Sequence, residues 1–357
     1  MKIKKIGWGF GLCNMNCTHC YNNSSMGQDI PRYSFKQLVS VATKVCPSVR
    51  DINFGTGELF CNPNTMRLIA FIAQNYPHID MAITSNGYTI VKMKKIDIKR
   101  QLNDVDISVD FPDKQRHNEF RGHDKAWFWA NRALKILQEI RIQTTITTCV
   151  TSQTTDEDLL GLISMANRYG ACLRINWYRN TKKETNHLRI SAERAWSVIE
   201  LLADKVIFSS LDSIFAGPLG VKCQSCPAGG FSARIHQDMS VTAYPFLKGE
   251  KWSAGNILDP KVNMYTVFNS SVFNKLRSRN VSYCKECPFQ KTCNGGCLTR
   301  AVLHNKGIND TDDFCPVRYK QMDTVNRIKG KIVLIKQGNL VHDGYLCTTI
   351  MKPKENM

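Results

Sequence analysis

The chain has 357 residues, 43% apolar and 22% charged, which excludes a disordered or fibrous protein and predicts a large domain with a smaller one. Its formal charge of +18 favours acidic partners, such as an acidic substrate segment or an acidic electron donor, while the lack of a basic and aromatic stripe argues against nucleic acid. No run of about 18 apolar residues is present and the opening MKIKKIGWGFGLC has no signal-peptide core, so a cytoplasmic protein with no membrane partner is expected.

In chain order, KIKKIGWGF reads as a strand, followed by a cysteine-containing loop and the helix SFKQLVSVATKVC, which Ser34 can cap. VRDINF is the next strand and ends in GTGE. The helix NTMRLIAFIAQNY, the strand DMAITS and the turn NGY follow. NDVDISVDF is a strand, AWFWANRALKILQEI a helix and IQTTITTCV a β-branched strand. The helix DEDLLGLISMANRYG should end on Gly170, and ACLRINWYR closes the series. Six strand–helix alternations predict a parallel sheet, open or closed into a barrel, with functional residues at the C-terminal strand ends. Past about residue 190 the pattern changes. AERAWSVIELLADKVIFSS reads as one helix, cysteines and glycines dominate to about 325, and the tail reads as two short strands about a Gly-Asn turn. The expected division is 1–190, a helical linker over 191–222, a cysteine-rich domain over 223–325 and a tail over 326–357.

Fifteen cysteines in a cytosolic chain point to metal or redox chemistry rather than disulfides. Cys46, Cys61, Cys149, Cys172 and Cys347 are scattered and read as small buried hydrophobes. Cys13, Cys17 and Cys20 lie within eight residues, in GLCNMNCTHCYN. An iron–sulfur cube normally takes four thiolates, so three would leave one iron open; zinc with His19 as fourth ligand is the competing reading. The spacing also matches one helical face, but Asn14, Asn16, Asn22 and Asn23 make that a poor helix.

C-x3-C-x2-C after a first strand resembles the radical S-adenosylmethionine (SAM) superfamily. The resemblance implies a partial (β/α)6 barrel of TIM type and a [4Fe–4S] cluster on Cys13, Cys17 and Cys20. It implies that SAM chelates the open iron, is cleaved by one electron, and yields a 5′-deoxyadenosyl radical that takes a hydrogen atom from the substrate. Further stretches match in order. NFGTGELF resembles the glycine-glycine-glutamate motif for the SAM amino group, with Gly57 and Glu58 in place and Thr56 where a glycine is usual. Ser85 and Asn86, in ITSNGY, resemble the end of strand three. In ISVDFPDKQRHNEFRG, Ser108 and Asp110 would face the SAM ribose and carboxylate, and Arg121 would be the family's recurrent arginine.

From Cys284 the chain reads C-x2-C-x5-C-x3-C-x17-C, for which paired zinc knuckles are the rival reading. The spacing resembles the SPASM domain of radical SAM maturases, which holds two auxiliary [4Fe–4S] clusters. That implies Cys284, Cys287, Cys293 and Cys315 on the distal cluster and Cys223, Cys226 and Cys297 on the nearer one. Phe246, in QDMSVTAYPF, occupies the fourth position of the nearer cluster, so one or two auxiliary clusters are expected.

The resemblance implies a peptide substrate, crosslinked, epimerised or oxidised, with a small molecule as the alternative; a zinc-binding interaction protein is the alternative of another class. With the first cysteine at residue 13 there is no room ahead of it for a leader-recognition domain. A flavodoxin- or ferredoxin-type donor, acidic to match the charge, is the expected reductant. Cys61, just after GTGELF, is a candidate hydrogen-atom donor. Trp127 and Trp129 are read as a packing face, and His19 as packing or hydrogen-bonding.

Overall fold

The structure is a computed structural model that describes residues 3–22, 30–221, 226–304, 307–334 and 349–354. Strands β1 (Lys5–Gly9), β2 (Asp51–Gly55), β3 (Asp80–Ser85), β4 (Asp104–Ser108), β5 (Gln143–Val150) and β6 (Cys172–Trp177) pair in parallel, each with the next. Helices α1 (Phe35–Val45), α2 (Pro63–Asn75), α3 (Tyr88–Lys92), α4 (Lys95–Gln101), α5 (Lys114–Arg121), α6 (Ala126–Glu139) and α7 (Asp156–Tyr169) return the chain between them. The result is a mixed α/β fold whose curled sheet forms a partial barrel, as expected. Local signals explain the boundaries. Ser34 and Gln37 form a capping box at α1, and Gly170 ends α7 in the left-handed region.

The strands alternate in character because successive side chains point to opposite faces. On β4, Val105 and Ile107 are fully buried in the apolar core, whereas Asp106 pairs with Arg174 of β6 and Ser108 reaches the barrel cavity. The lumen is therefore polar and the helix-facing layer apolar.

Beyond β6 the expectation needs correcting. The run read as one helix divides into α8 (Ala192–Leu202) and strand β7 (Val206–Ser210). In VIFSS, Val206, Phe208 and Ser210 are buried while Ile207 and Ser209 are half-buried, a period of two that suits a strand. Residues 191–222 are thus not a purely helical linker: β7 belongs to the main sheet and is followed by α9 (Ser213–Leu219). Strands β8 (Ser232–Ile235), β9 (Val241–Thr242), β10 (Val333–Leu334) and β11 (Thr349–Pro353) complete a sheet ordered β10-β7-β11-β6-β5-β4-β3-β2-β1-β8-β9. Among the described residues β10 and β11 do not pair with each other. β11 lies between β6 and β7, antiparallel to both, and β10 pairs with β7. The Gly-Asn turn and Cys347 lie outside the described residues.

The cysteine-rich segment is anchored by a fully buried ion triad. The Arg300 guanidinium donates to Asp212, just before α9, at 2.9 Å and to Asp312 at 2.7 and 2.8 Å. Asp312 also accepts the backbone N–H groups of Cys297 at 2.6 Å and Phe314 at 3.0 Å.

Candidate active site

A cavity of about 240 Å³ sits at the C-terminal ends of the parallel strands. Cys13, Cys17 and Cys20 line it, together with Gly57, Glu58, Ser85, Asn86, Ser108 and Arg121. Residues quoted from four separate stretches of sequence meet in one place.

The cysteine loop is held by the turn after β2. Phe10 and Gly11 N–H groups donate to the Thr56 carbonyl at 3.2 and 2.9 Å, and Glu58 N–H donates to Leu12 O at 2.6 Å. Gly57 has φ +85°, and a Cβ there would overlap the Leu12 carbonyl oxygen and the Gly11 backbone. Gly57→Ala should therefore displace the loop and cut SAM-dependent turnover by at least about a hundredfold, the scale that small misplacements of reacting groups carry. Wild-type turnover in that variant would refute the clamp. Thr56, in the usual glycine position, also has positive φ (64°); its hydroxyl contacts Tyr21 Oη at 2.5 Å and the Arg234 guanidinium.

Burial pushes the Cys13 thiol far up, with Glu58, Cys17 and Cys20 acting in the same direction. Burial raises Cys17 to about 11, against the pull of Arg121. Thiolates gathered this closely in a buried loop call for positive charge among them. An iron–sulfur cluster supplies that charge, and the donor set fits one.

Glu58 is buried and raised by desolvation, opposed by its donors. Oε1 accepts from Ser85 Oγ at 2.6 Å and Thr89 N–H at 2.7 Å, and Oε2 accepts from Asn86 N–H at 2.8 Å. These bonds fix the carboxylate against the cavity, where it suits a cationic amine. The Asn86 side chain donates to Asn14 Oδ1 at 2.8 Å and so ties the end of β3 to the cysteine loop.

Two expected residues stand elsewhere. Asp110 does not line the cavity. Its Oδ2 accepts from Arg121 Nε at 2.6 Å and its Oδ1 from Cys149 N–H at 2.9 Å, so it positions Arg121. Burial would raise this carboxyl, but the adjoining Arg121 charge holds it below the ordinary range. Cys61 is in a short 3-10 turn ahead of α2 and is likewise not among the lining residues; Cys149 of β5 is the thiol outside the cysteine loop that lines it. The tryptophans of α6 pack, Trp127 against His117 and Trp129 against Tyr88 and His123. His19 stacks on Phe120 at 4.6 Å, and burial lowers it to about 4.

Two further histidines give the fold an acid limit. Burial, then the Arg121 charge, lowers His117 to about 3; burial, then Arg234, lowers His236 to about 3. Both values fall below the ordinary 6.5, so their stabilising contribution is complete above that pH and is lost as pH falls towards 3. Each should remove up to about 1.4 kcal/mol per pH unit below 6. Urea midpoints unchanged between pH 7 and 5 would contradict this.

Cys284, Cys287, Cys293 and Cys315 converge: each lies close enough to one or more of the others that their charges repel. Among the described residues no three His, Cys, Asp or Glu side chains close to the spacing of a single-ion site. Cys297 stands apart, with Thr299 Oγ1 at 2.9 Å and Arg179 Nη2 donating to its sulfur at 3.6 Å. Cys226 is half-buried, and Cys223 lies outside the described residues. Phe246 lines the main cavity, its ring 4.6 Å from Tyr21.

Sequence reasoning missed Arg174, Arg179 and Arg234, all cavity-lining. The alternation of polar residues along ACLRINW carried a signal for the first, since Arg174 and Asn176 share the lumen face with Thr147, to which both donate.

Residues 10–166 match the family described as the radical SAM superfamily, so this part of the chain is a radical SAM domain. Its relatives extend the likeness past that domain. It is 26% identical over 318 residues to the mycofactocin maturase MftC of Mycobacterium tuberculosis, covering 85% of this chain and 80% of that one. It is 24% identical over 311 residues to the subtilosin biosynthesis protein AlbA of Bacillus subtilis, covering 82% and 66%. Among solved structures, anSMEcpe with bound AdoMet superposes with TM-score 0.71 at 18% identity, over 92% of this chain and 98% of that one. Streptococcus suis SuiB bound to S-adenosylmethionine gives 0.67 at 15%, over 88% and 77%. These two establish the fold. Among the described residues no helix is long and apolar enough to cross a membrane.

Proposed function

We propose that the chain is a radical SAM maturase that modifies a ribosomally made peptide. The observation that carries this is the single cavity in which the three-cysteine loop, Glu58, the Ser85–Asn86 turn, Ser108 and Arg121 meet. When bound, the cluster and SAM supply a 5′-deoxyadenosyl radical able to remove a substrate hydrogen atom. Cys13, Cys17 and Cys20 hold the cluster. Glu58, with the Gly57 turn, takes the SAM amine, Ser85 and Asn86 fix Glu58 and the loop, and Ser108 and Arg121 face the remaining polar groups of SAM. Cys284, Cys287, Cys293 and Cys315 hold a distal auxiliary cluster, and Cys226 and Cys297 with Cys223 belong to the nearer one.

The peptide substrate is supported by the relatives, one named as a mycofactocin maturase and one for subtilosin biosynthesis, and by SuiB, solved with its precursor peptide SuiA. The charge of +18 favours an acidic flavodoxin or ferredoxin as electron donor in the cytoplasm. The test is anaerobic: iron-loaded protein with dithionite and SAM should form 5′-deoxyadenosine. Iron-loaded protein that forms none would overturn the reading, and colourless protein holding only zinc would return it to an interaction module.

A further inference from the structure

Strand β8 runs parallel to β1, with Trp8 opposite Ile235, so the turn leaving β8 emerges at the end of the sheet where β1 delivers the cysteine loop. Gln237 in that turn, and Phe246 and Lys248 after β9, meet the far end of the loop. Asn22 Nδ2 donates to Gln237 Oε1 at 2.7 Å, and the Tyr21 ring lies 4.6 Å from that of Phe246. Lys248 Nζ donates to Asn22 Oδ1 at 2.7 Å and to the Tyr21 carbonyl at 3.5 Å. A Cβ at Gly11 would overlap the Gln237 amide oxygen, so glycine at the start of the loop gives that side chain its room.

The ammonium is the distinctive member of this clamp. Both its acceptors are neutral oxygens, on the two residues after Cys20, so these bonds bring a positive charge to the loop without cancelling it. The Tyr21 ring centroid lies 5.3 Å from Nζ. Burial and then the Arg234 charge lower Lys248, while Cys20 and then the exposed Asp238 oppose them, as expected of an ammonium within electrostatic reach of the Cys20 sulfur. On the Cys17 side, by contrast, the Arg121 charge is paired with Asp110. A cluster's reduction potential responds to the charge around it, and a nearby cation favours the more negative, reduced state.

We infer that Lys248 is a positioning residue, supplied by the cysteine-rich segment, that raises the reduction potential of the three-cysteine site. It does so by holding Tyr21 and Asn22 and keeping a positive charge beside Cys20. The inference rests on the cluster assignment above and adds a residue that makes that cluster easier to reduce.

The test is an anaerobic redox titration of full-length, iron-loaded protein, followed by EPR. The signal read is the reduced-cluster signal that added SAM perturbs, which separates the three-cysteine site from the auxiliary ones. Lys248→Gln keeps a donor for Asn22 but removes the charge. It should make one-electron reduction about tenfold less favourable, a midpoint lower by about 59 mV, and Lys248→Met should do the same. Lys248→Arg should stay close to the wild-type midpoint. Gln237→Met, which removes a hydrogen bond but no charge, should move the midpoint far less than Lys248→Gln does. The midpoint is read from whatever fraction of the cluster is assembled, so partial iron loss does not obscure it. A wild-type midpoint in either neutral Lys248 variant would overturn the inference. Equal shifts in Lys248→Gln and Gln237→Met would also overturn it, since both side chains would then act through loop position alone. Loss of the signal from both neutral variants would do so too, in favour of a clamp that the cluster needs for assembly. Wild-type protein with no signal that SAM perturbs would remove the cluster assignment itself, and the inference with it.

Discussion

Cys17→Ala should reduce 5′-deoxyadenosine formation at least about a thousandfold, equivalent to roughly 4 kcal/mol of barrier, and remove about four irons per chain. Cys17 is the middle cysteine of the loop, and its sulfur faces Arg121 Nη1 at 4.0 Å, so on the proposed arrangement its loss removes both a cluster ligand and the anion beside that arginine. Cys46→Ala is the control. That thiol is fully buried behind α1, far along the chain from either cysteine group, and its variant should keep its iron. If Cys17→Ala keeps both iron and turnover, the loop does not hold the reactive cluster.

Arg300→Met should be the most destabilising single change, by about 3–5 kcal/mol. The substitution conserves much of the volume but leaves Asp212 and Asp312 facing each other, fully buried, without the cation between them. Burial already raises Asp212, and the Arg300 charge is the largest influence opposing it. Asp312 holds Cys297 N–H, so the damage should reach the cysteine-rich segment: thermal unfolding should come several degrees earlier, with iron lost from the auxiliary sites before the three-cysteine site. An unshifted melting curve would show that the triad contributes little net stability. Adding Asp312→Asn to Arg300→Met should recover part of the loss, because the amide oxygen can still accept the Cys297 N–H while one buried charge is removed.

Much of the barrel was legible because it obeys local rules. Period-two and period-3.6 patterns, Ser34 as a cap and Gly170 as a stop set the elements through β6, and motif order brought Glu58, Asn86 and Ser108 to one cavity. What could not be read locally was decided by long-range pairing. Val206–Ser210 follows a strong helix after a short break, its period of two runs for only five residues, and pairing with β11 and β10 makes it a strand. Asp110 was read from the motif around β4 and Cys61 from its nearness to GTGELF, but side-chain direction decides access: Asp110 turns to Arg121 and the Cys149 N–H, while Cys61 falls in the short turn after Glu58. Arg179 carried no motif at all. Its place in the cavity lies beside the rings of Tyr244 and Phe246, a contact no spacing rule anticipates.

The position of β11 bears on the order of events during synthesis. The outer edge of β6 is covered by residues 349–353, so that edge stays bare from the time Trp177 leaves the ribosome until the last strand is made. At typical elongation speeds of about 5–20 residues per second, this interval lasts on the order of ten seconds or more. Throughout it the nascent barrel offers an unpaired hydrogen-bonding edge to other chains. Final registration of the sheet therefore waits for residues 349–353, and slow expression at low temperature with sustained iron supply should raise the yield of loaded protein.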